Sequence, residues 1–516
     1  MSRINTNISS VIAQSHLNRA QKDLSLHLER LSTGLKINRG ADDPAGLIIS
    51  ERIKSDIQGL SSGMKNSDRA SSVIATTESA LNEVSDLLNS IKSLLVESAN
   101  TGGNSEAERA ANQLQIDSAI DSITRISNTS SFGGLKLLNG TLDYTLSGVA
   151  TSAINKATIH SATLVGQATL QVNVKVVTSA QKAALYLNPV SATGGYLLSA
   201  MTLEVGGKAG VQTIQFPQSA PLSSVMKAIN NTTAFTGVTA SLVNNNMTSG
   251  LKITSSEYGS DAFVSVKRVG APSTGDSFTA NLMAFANNVD PTTLSSPANW
   301  SATGLTVAQQ DKGQDVAALV NGSLATGRGL SVAVNNSSLG ADLLLNTALA
   351  TNPAATASTF YVTGGGALFQ LGQDVTALQQ TNFGVPSVAA SRMGGVLVNG
   401  VMNFLSSVKT GQGNSIAQSV AAGDFTASSD ILDQAIDEIS TLRGRMGAFE
   451  KNVLQANSRS LQSAFENLTA SNSQIRDSDF ASETSSMTRS QILASAGTSV
   501  LSLANQSSQQ VLQLLG

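Results

Sequence analysis

One run of spacing constrains this chain more than any other feature. Ala70, Ile74, Thr77, Leu81, Val84, Leu88, Ile91 and Leu95 follow one another at alternating steps of 4 and 3. That rhythm draws a single seam along a helix, and such a seam is buried against other helices of the same kind. Partners are present. Leu17, Leu24, Leu28, Leu31 and Leu35 form a stripe upstream, and Ile116, Ile120 and Ile123 repeat the spacing downstream. Far along the chain, Leu432, Ile436 and Ile439 precede Leu461, Phe465, Leu468, Asn472 and Ile475. A rod seam is therefore expected from Ile74, Leu81, Val84, Leu88, Ile91, Leu95, Leu461, Phe465, Leu468 and Ile475.

Proline and charge divide the chain into three zones. Residues 1–140 carry 14 Lys/Arg and 15 Asp/Glu, while the 288 residues 141–428 carry only 12 and 11. Eight of the nine prolines fall in that middle zone, and Pro44 alone lies outside it. Proline breaks helices, so the two ends are free to be long helices and the middle is not. Asp42-Asp43-Pro44 predicts a helix start, with a capping carboxylate before proline in the first turn. Thr101-Gly102-Gly103-Asn104 predicts a helix-to-helix turn. The middle reads as strands: Leu170, Val172, Val174 and Val176 alternate with polar residues, and GLKITSS and DAFVSVKRV obey the same rule. SSVMKAINNTT has helical spacing and predicts one helix inside that β region. The fold class expected is α + β: a long antiparallel helical coiled-coil rod from the two terminal segments, with an inserted β-rich outer region.

Composition excludes several functions. The net charge of −3 is wrong for a nucleic-acid binder, and aromatic residues, at 4% with Trp300 the single tryptophan, supply few stacking surfaces. With no cysteine, disulfides, zinc-thiolate sites and thiol catalysis are all absent. His16, His27 and His160 are the only histidines and none has metal-ligand spacing; His16 and His27 read as ordinary helix residues. No nucleophile elbow, catalytic residue, metal or cofactor is expected. MSRINTNISSVIAQSHLN lacks the apolar core of a cleaved signal peptide, and no apolar run is long enough to span a membrane.

Residues 491–516 predict one helix, about 39 Å long. One stripe runs Leu493, Ala496, Val500, Leu503, Ser507 and Leu514, and a second runs Leu501, Ala504, Ser508, Val511 or Leu512, and Leu515. Together they exceed the roughly 100° face of a surface helix. No charge follows Arg489. The N-terminal leucine stripe is the obvious neighbour, but one helix cannot cover two stripes, so other copies of the chain must cover the rest, and a repeating contact of that kind builds an open filament. On pattern alone, a heptad stretch reads more readily as an internal bundle than as a filament. The assembly surface expected is Leu17, Leu24, Leu28, Leu31, Leu35, Leu493, Val500, Leu503, Val511 and Leu514.

Both ends carry words that closely resemble bacterial flagellin. They are INTN (4–7), ERLSTGLKIN (29–38), DDPAGL (42–47), TTESALNEV (76–84), ISNTSSFGGLKLLNG (126–140), SQIRDSDFASE (473–483), SQILASAGTSVLSLANQ (490–506) and VLQLLG (511–516). In the middle, residues 201–266 are similar to the flagellin "IN" module, with Ile229-Asn230 as its pair, and GGALFQLGQDVTALQQTNFGV (365–385) has a related character. The resemblance implies a subunit that polymerises into the extracellular flagellar filament for swimming, exported unfolded through the flagellar type III apparatus without a cleaved signal peptide. It implies inner-tube helices at 1–40 with 481–516, a helical rod domain at 41–140 with 429–480, and a variable outer region at 141–428. That outer region divides into about 160–270, with the IN-like module, and about 271–428. The terminal segments would be disordered in the monomer and fold on assembly. Implied partners are other copies of the chain, the filament cap and hook-filament junction proteins and an export chaperone, with O-linked glycans on the outer region at no residue that can be singled out.

One departure from the family pattern matters. Flagellins sensed by the mammalian Toll-like receptor carry an Arg three residues before a Glu, then Leu. Here Ser90 and Ser93 replace the charged pair, Leu94 is kept, and Gln115 stands where a further acidic residue is found. The resemblance therefore implies weak receptor activation. Rival readings are the hook-filament junction protein, which shares the terminal helices, a surface adhesin acting through 141–428, and an enzyme. The last would need a zinc motif that a lone His160 in the middle zone cannot form.

Overall fold

The computed structural model describes residues 6–164, 169–188, 192–193, 195–270, 278, 280–285, 305–336, 338–398 and 400–515. It has the α + β architecture expected, with long helices from both terminal segments and β-sheets in the middle. Packing divides the described residues into two compact units. One draws on Met1–Ser71, Gln370–Gln380 and Glu450–Gly516, the other on Ser72–Phe369 and Thr381–Phe449.

The first unit contains helices α1 (Ile8–Thr33), the opening turns of α2 (Pro44–Ala99), and two later helices treated below. Asp43 caps α2 by accepting from the Gly46 amide at 2.9 Å, and Pro44 occupies the first helical position, where its missing N–H costs nothing. Asp42 instead accepts from the Asn38 and Arg39 amides, 3.0 and 2.8 Å away, and those bonds hold its carboxyl below its ordinary value. Gly59 and Gly63 sit in the interior of α2, where glycine costs about 1 kcal/mol against alanine. The turn 370–380 explains them: a Cβ at Gly59 would come within 2.9 Å of the Gln373 Cβ, and one at Gly63 within 3.0 Å of the Leu371 carbonyl.

The second unit contains the rest of α2, helix α3 (Glu106–Thr129) and the sheets. Ser105 and Glu108 form a reciprocal capping box that starts α3 just after the predicted turn. A hydrogen bond from Asn112 to the Ser98 hydroxyl, 3.2 Å, ties α3 to α2. Eight strands form one antiparallel sheet in the order Tyr144–Ser147, Ser358–Gly365, Leu170–Thr178, Ala317–Val320, Ser323–Arg328, Ser331–Asn335, Leu339–Leu345 and Ile154–Ala162. Val172, Val174, Val176, Phe360 and Leu343 are among its buried residues.

A second core lies among a five-stranded sheet, a four-stranded sheet and α4 (Leu222–Asn231). Here the Ile-Asn pair has a physical meaning. Ile229 is fully buried, while Asn230 completes the hydrogen bonding of Ala240 on the neighbouring strand: its Nδ2 donates to the Ala240 carbonyl (2.9 Å), and its Oδ1 accepts from the Ala240 amide (2.7 Å). One side chain thus stands in for a missing strand.

The chain then returns along α3. Gln113 is buried and spans both sides, donating to the Val408 carbonyl (3.0 Å) and accepting from the Ile416 amide (2.8 Å). Helices α5 (Ile416–Ala422) and α6 (Thr426–Phe449) follow. Arg445 of α6 stacks on Phe383 and donates to the His160 carbonyl at 3.0 Å, and Lys156 pairs with Glu438 at 2.6 Å, so α6 is bonded to the edge strand of the large sheet. A π-helical turn, Glu450–Leu454, separates α6 from α7 (Gln455–Arg476), and α8 (Phe480–Leu515) completes the helices of the first unit.

Candidate assembly surface

Within the first unit α1 and α8 lie side by side. Asn7 donates to the Ala504 carbonyl (2.9 Å) and Ser10 to Asn505 (2.8 Å), while Glu483, at the other end of α8, meets His27 and Arg30. The helices therefore run antiparallel. Their contact is close because its residues are small: Ala13 and Ala20 are the buried positions of α1, and Gly497 of α8 lies against Leu17. A Cβ at Gly497 would stand 3.3 Å from the Leu17 Cδ1.

Charge is confined to one end of this contact. The Glu483 carboxylate receives the Arg30 guanidinium at 3.1 Å through one oxygen and contacts the His27 ring nitrogen Nδ1 through the other. Burial, the largest effect, pushes the Glu483 carboxyl up, but the bonds and charges of His27 and Arg30 outweigh it and hold the group below its ordinary value. Glu483 lies in the first turn of α8 and Arg30 in the last turn of α1, so each charge also faces the favourable end of its own helix dipole.

The two apolar stripes of α8 have different surroundings. Ser490 is buried, and Ala494, Gly497, Leu501 and Ala504 are partly covered, on the face toward α1. The stripe about 100° round the helix is open: Leu493 is 53% exposed, Val500 55% and Leu503 66%, with Ala496 and Ser507 exposed between them. On α1, Leu17, Leu24 and Leu31 are half-buried and Leu28 is 50% exposed, as are Ile8, Val11 and Ile12 to similar degree. Leu35 departs from the expected stripe. Helix α1 ends at Thr33, and Leu35 forms a bridge with Asp477 beyond it. The side chains of Val511 and Leu514 lie outside the described residues.

The expected rod seam is not one continuous set. Ile74, Leu81, Val84, Leu88, Ile91 and Leu95 are all buried in the second unit, where Glu78 and Lys92 of α2 pair with Arg443 and Asp433 of α6. Leu461, Phe465, Leu468 and Ile475 are half-buried on α7 in the first unit. There α7 runs antiparallel to the start of α2, with Ser50 bonded to Asn472 (2.9 Å) and Asn457 to Ser67 (3.4 Å). On α6 the period is carried by Leu432, Ala435, Ile439, Leu442 and Met446, and Ile436 is only half-buried. Ser90 and Ser93 are exposed and Leu94 half-buried; the bond between Ser98 and Asn112 brings exposed Gln115 to the same level on α3.

Two features escaped the sequence. His27 is not an ordinary helix residue, because its ring meets Glu483, 456 positions away. No local signal reports a pair so distant. Also, Gly59-Leu60-Ser61-Ser62-Gly63 does spell GxSxG, but it lies inside α2 rather than on a strand-to-helix turn, so it makes no nucleophile elbow.

Comparison with known proteins fits this arrangement. The bacterial flagellin N-terminal helical region matches residues 4–143, and the bacterial flagellin C-terminal helical region matches residues 429–515. The flagellin of Salmonella rubislaw is 29% identical over 525 residues, covering 99% of both chains. Polar flagellin F of Vibrio parahaemolyticus is 43% identical over 137 residues, 27% of this chain and 36% of that protein. Among solved structures, flagellar hook associated protein-3 from Legionella pneumophila aligns with a TM-score of 0.31 at 11% identity, covering 82% of this chain and 98% of that one. A superposition so loose carries no weight.

Proposed function

Since the chain belongs to the bacterial flagellins, which are structural subunits of the flagellar filament and not enzymes, we propose that it polymerises through the open faces of α1 and α8 into an extracellular filament that drives swimming. The observation that carries this reading is the stripe Leu493, Val500 and Leu503, three aliphatic side chains each more than half exposed on a helix with no charge after Arg489. A surface helix of a lone protein normally carries charge there. Copies of the same chain are the covering the reading supplies.

On this proposal residues 1–40 and 481–516 line the filament's inner tube, 41–140 and 429–480 form the rod, and 141–428 face outward. The subunit leaves the cell unfolded through the flagellar type III apparatus, escorted by an export chaperone, and joins the filament between cap and hook-filament junction proteins. The terminal helices gain full order only when neighbours arrive, because folding alone leaves their apolar faces wet. Electron microscopy tests the proposal: purified protein incubated with filament seeds should give long uniform filaments. Seeds that never elongate would refute it, and a thin collar instead of a filament would favour a junction role.

A further inference from the structure

Within the second unit, helix α6, the edge strand Ile154–Ala162 and the connection 386–397 line a cleft of about 820 Å³. Small-molecule sites are of this size, about 300–1,000 Å³. Met393, Leu397, Phe404 and Leu442 give the cleft an apolar wall. Its charged groups fall into two sets. Lys156 is paired with Glu438, Glu257 with Lys208, and the His160 ring with Asp342. The others are Asp143, Asp437, Arg392 and Arg445, two carboxylates and two guanidinium groups, and none of the four has a salt bridge among the described residues. Several polar atoms here are also left unfinished. Asp143 Oδ1 accepts from the Tyr144 amide at 2.8 Å, but Oδ2 has no hydrogen bond among the described residues. Burial pushes this carboxyl up, although Arg392, His160 and Arg445 all pull it down. His160 Nε2 meets Asp342 at 2.7 Å, and its Nδ1 is buried with no partner. Arg445 uses one N–H on the His160 carbonyl, and the exposed Arg392 guanidinium bonds to no group among the described residues.

We propose that this cleft binds a neutral polyhydroxy ligand, a short oligosaccharide. A hydroxyl both donates and accepts, so one sugar ring can give a proton to Asp143 and receive N–H groups of Arg392 or Arg445 in the same pose. Its C–H face then lies on the apolar wall beside Phe404. The balance of unpaired charge selects against the alternatives. An anion would satisfy the guanidinium groups but confront Asp143 and Asp437, and a cation would satisfy the carboxylates but confront Arg392 and Arg445. A ligand without net charge meets both sets without repulsion.

Isothermal titration calorimetry on the whole unassembled chain tests the site without reference to polymerisation. The neutral probes are maltose, cellobiose, lactose and diacetylchitobiose, with gluconate and putrescine as the anionic and cationic ones. At least one of the disaccharides should bind saturably. Asp143→Asn and Arg392→Ala should each weaken that binding about tenfold, the effect of losing one hydrogen bond to a charged group. Lys227→Gln, exposed on α4 and no part of the cleft wall, should leave it unchanged. Circular dichroism checks the fold of each variant, and Arg392→Ala, which removes a side chain with no bond to lose, keeps the test decisive if Asp143→Asn unfolds. Disaccharides that all fail to bind, binding of gluconate or putrescine alone, or affinity that survives Arg392→Ala intact would each overturn the proposal.

Discussion

Replacing Leu503 by aspartate tests the open face of α8 most directly. In the single chain Leu503 is 66% exposed, so the change should alter the stability of the isolated protein by no more than about 0.5 kcal/mol. Assembly is different. Full burial of a leucine contributes about 1.5–3 kcal/mol. Covering the two thirds of Leu503 still open then stabilises each added subunit by about 1–2 kcal/mol. Leu503→Ala forfeits most of this and should raise the critical concentration for polymerisation about tenfold. Leu503→Asp also places an unpaired charge at the covered site, which costs several further kcal/mol and carries the critical concentration up by about a thousandfold or more. The assay is elongation of preformed seeds across a dilution series, read by sedimentation, with circular dichroism of the unassembled chain as the fold control. Seeds that elongate with Leu503→Asp at wild-type concentrations would show that this face is not covered in the filament.

Asn230→Asp should destabilise the α4 region by about 1–3 kcal/mol, because the carboxylate cannot donate to the Ala240 carbonyl; a thermal unfolding curve that superposes on wild type would contradict the strand-mimic role. Depolymerised protein should activate Toll-like receptor reporter cells weakly, since Ser90, Ser93 and Gln115 present no charge on the exposed α2–α3 surface. A full response would sink that expectation. Gly497→Leu should loosen the α1–α8 pair by crowding Leu17, read as faster proteolysis of both terminal segments in assembled filaments; unchanged protection would refute the close approach.

The helical part of the fold was legible because its information is local. Seam residues at steps of 4 and 3 can meet only along one side of a helix, and Asp43-Pro44 and Ser105 with Glu108 mark the starts of α2 and α3 in single words. The order of the large sheet was not legible. Tyr144–Ser147 pairs with Ser358–Gly365 across more than two hundred residues, and alternation in a strand says which face is buried, not which strand lies beside it. The split of the seam was hidden for another reason. The heptad spacing runs through α2 without interruption, while the helices on the partner side are interrupted by the π turn at Glu450–Leu454, which leaves no mark in composition. On the assembly surface the exposed stripe could be read from charge and period. The ion cluster could not, since Glu483 and His27 each look unexceptional alone.

The bond from Asn7 to the Ala504 carbonyl joins positions 497 apart. Closing a loose loop of that size costs about 5 kcal/mol of chain entropy, more than a contact of alanines and one ion cluster readily repays. On that cost, folding that works outward from the middle is favoured: sheets and shorter-range helix pairs that form first shorten the tether between the two ends before those ends meet. A fault in the sheets far from either terminus would then surface as failure of the terminal helices to find each other, so a mutation that looks harmless to the polymer's contacts can still starve it of competent subunits.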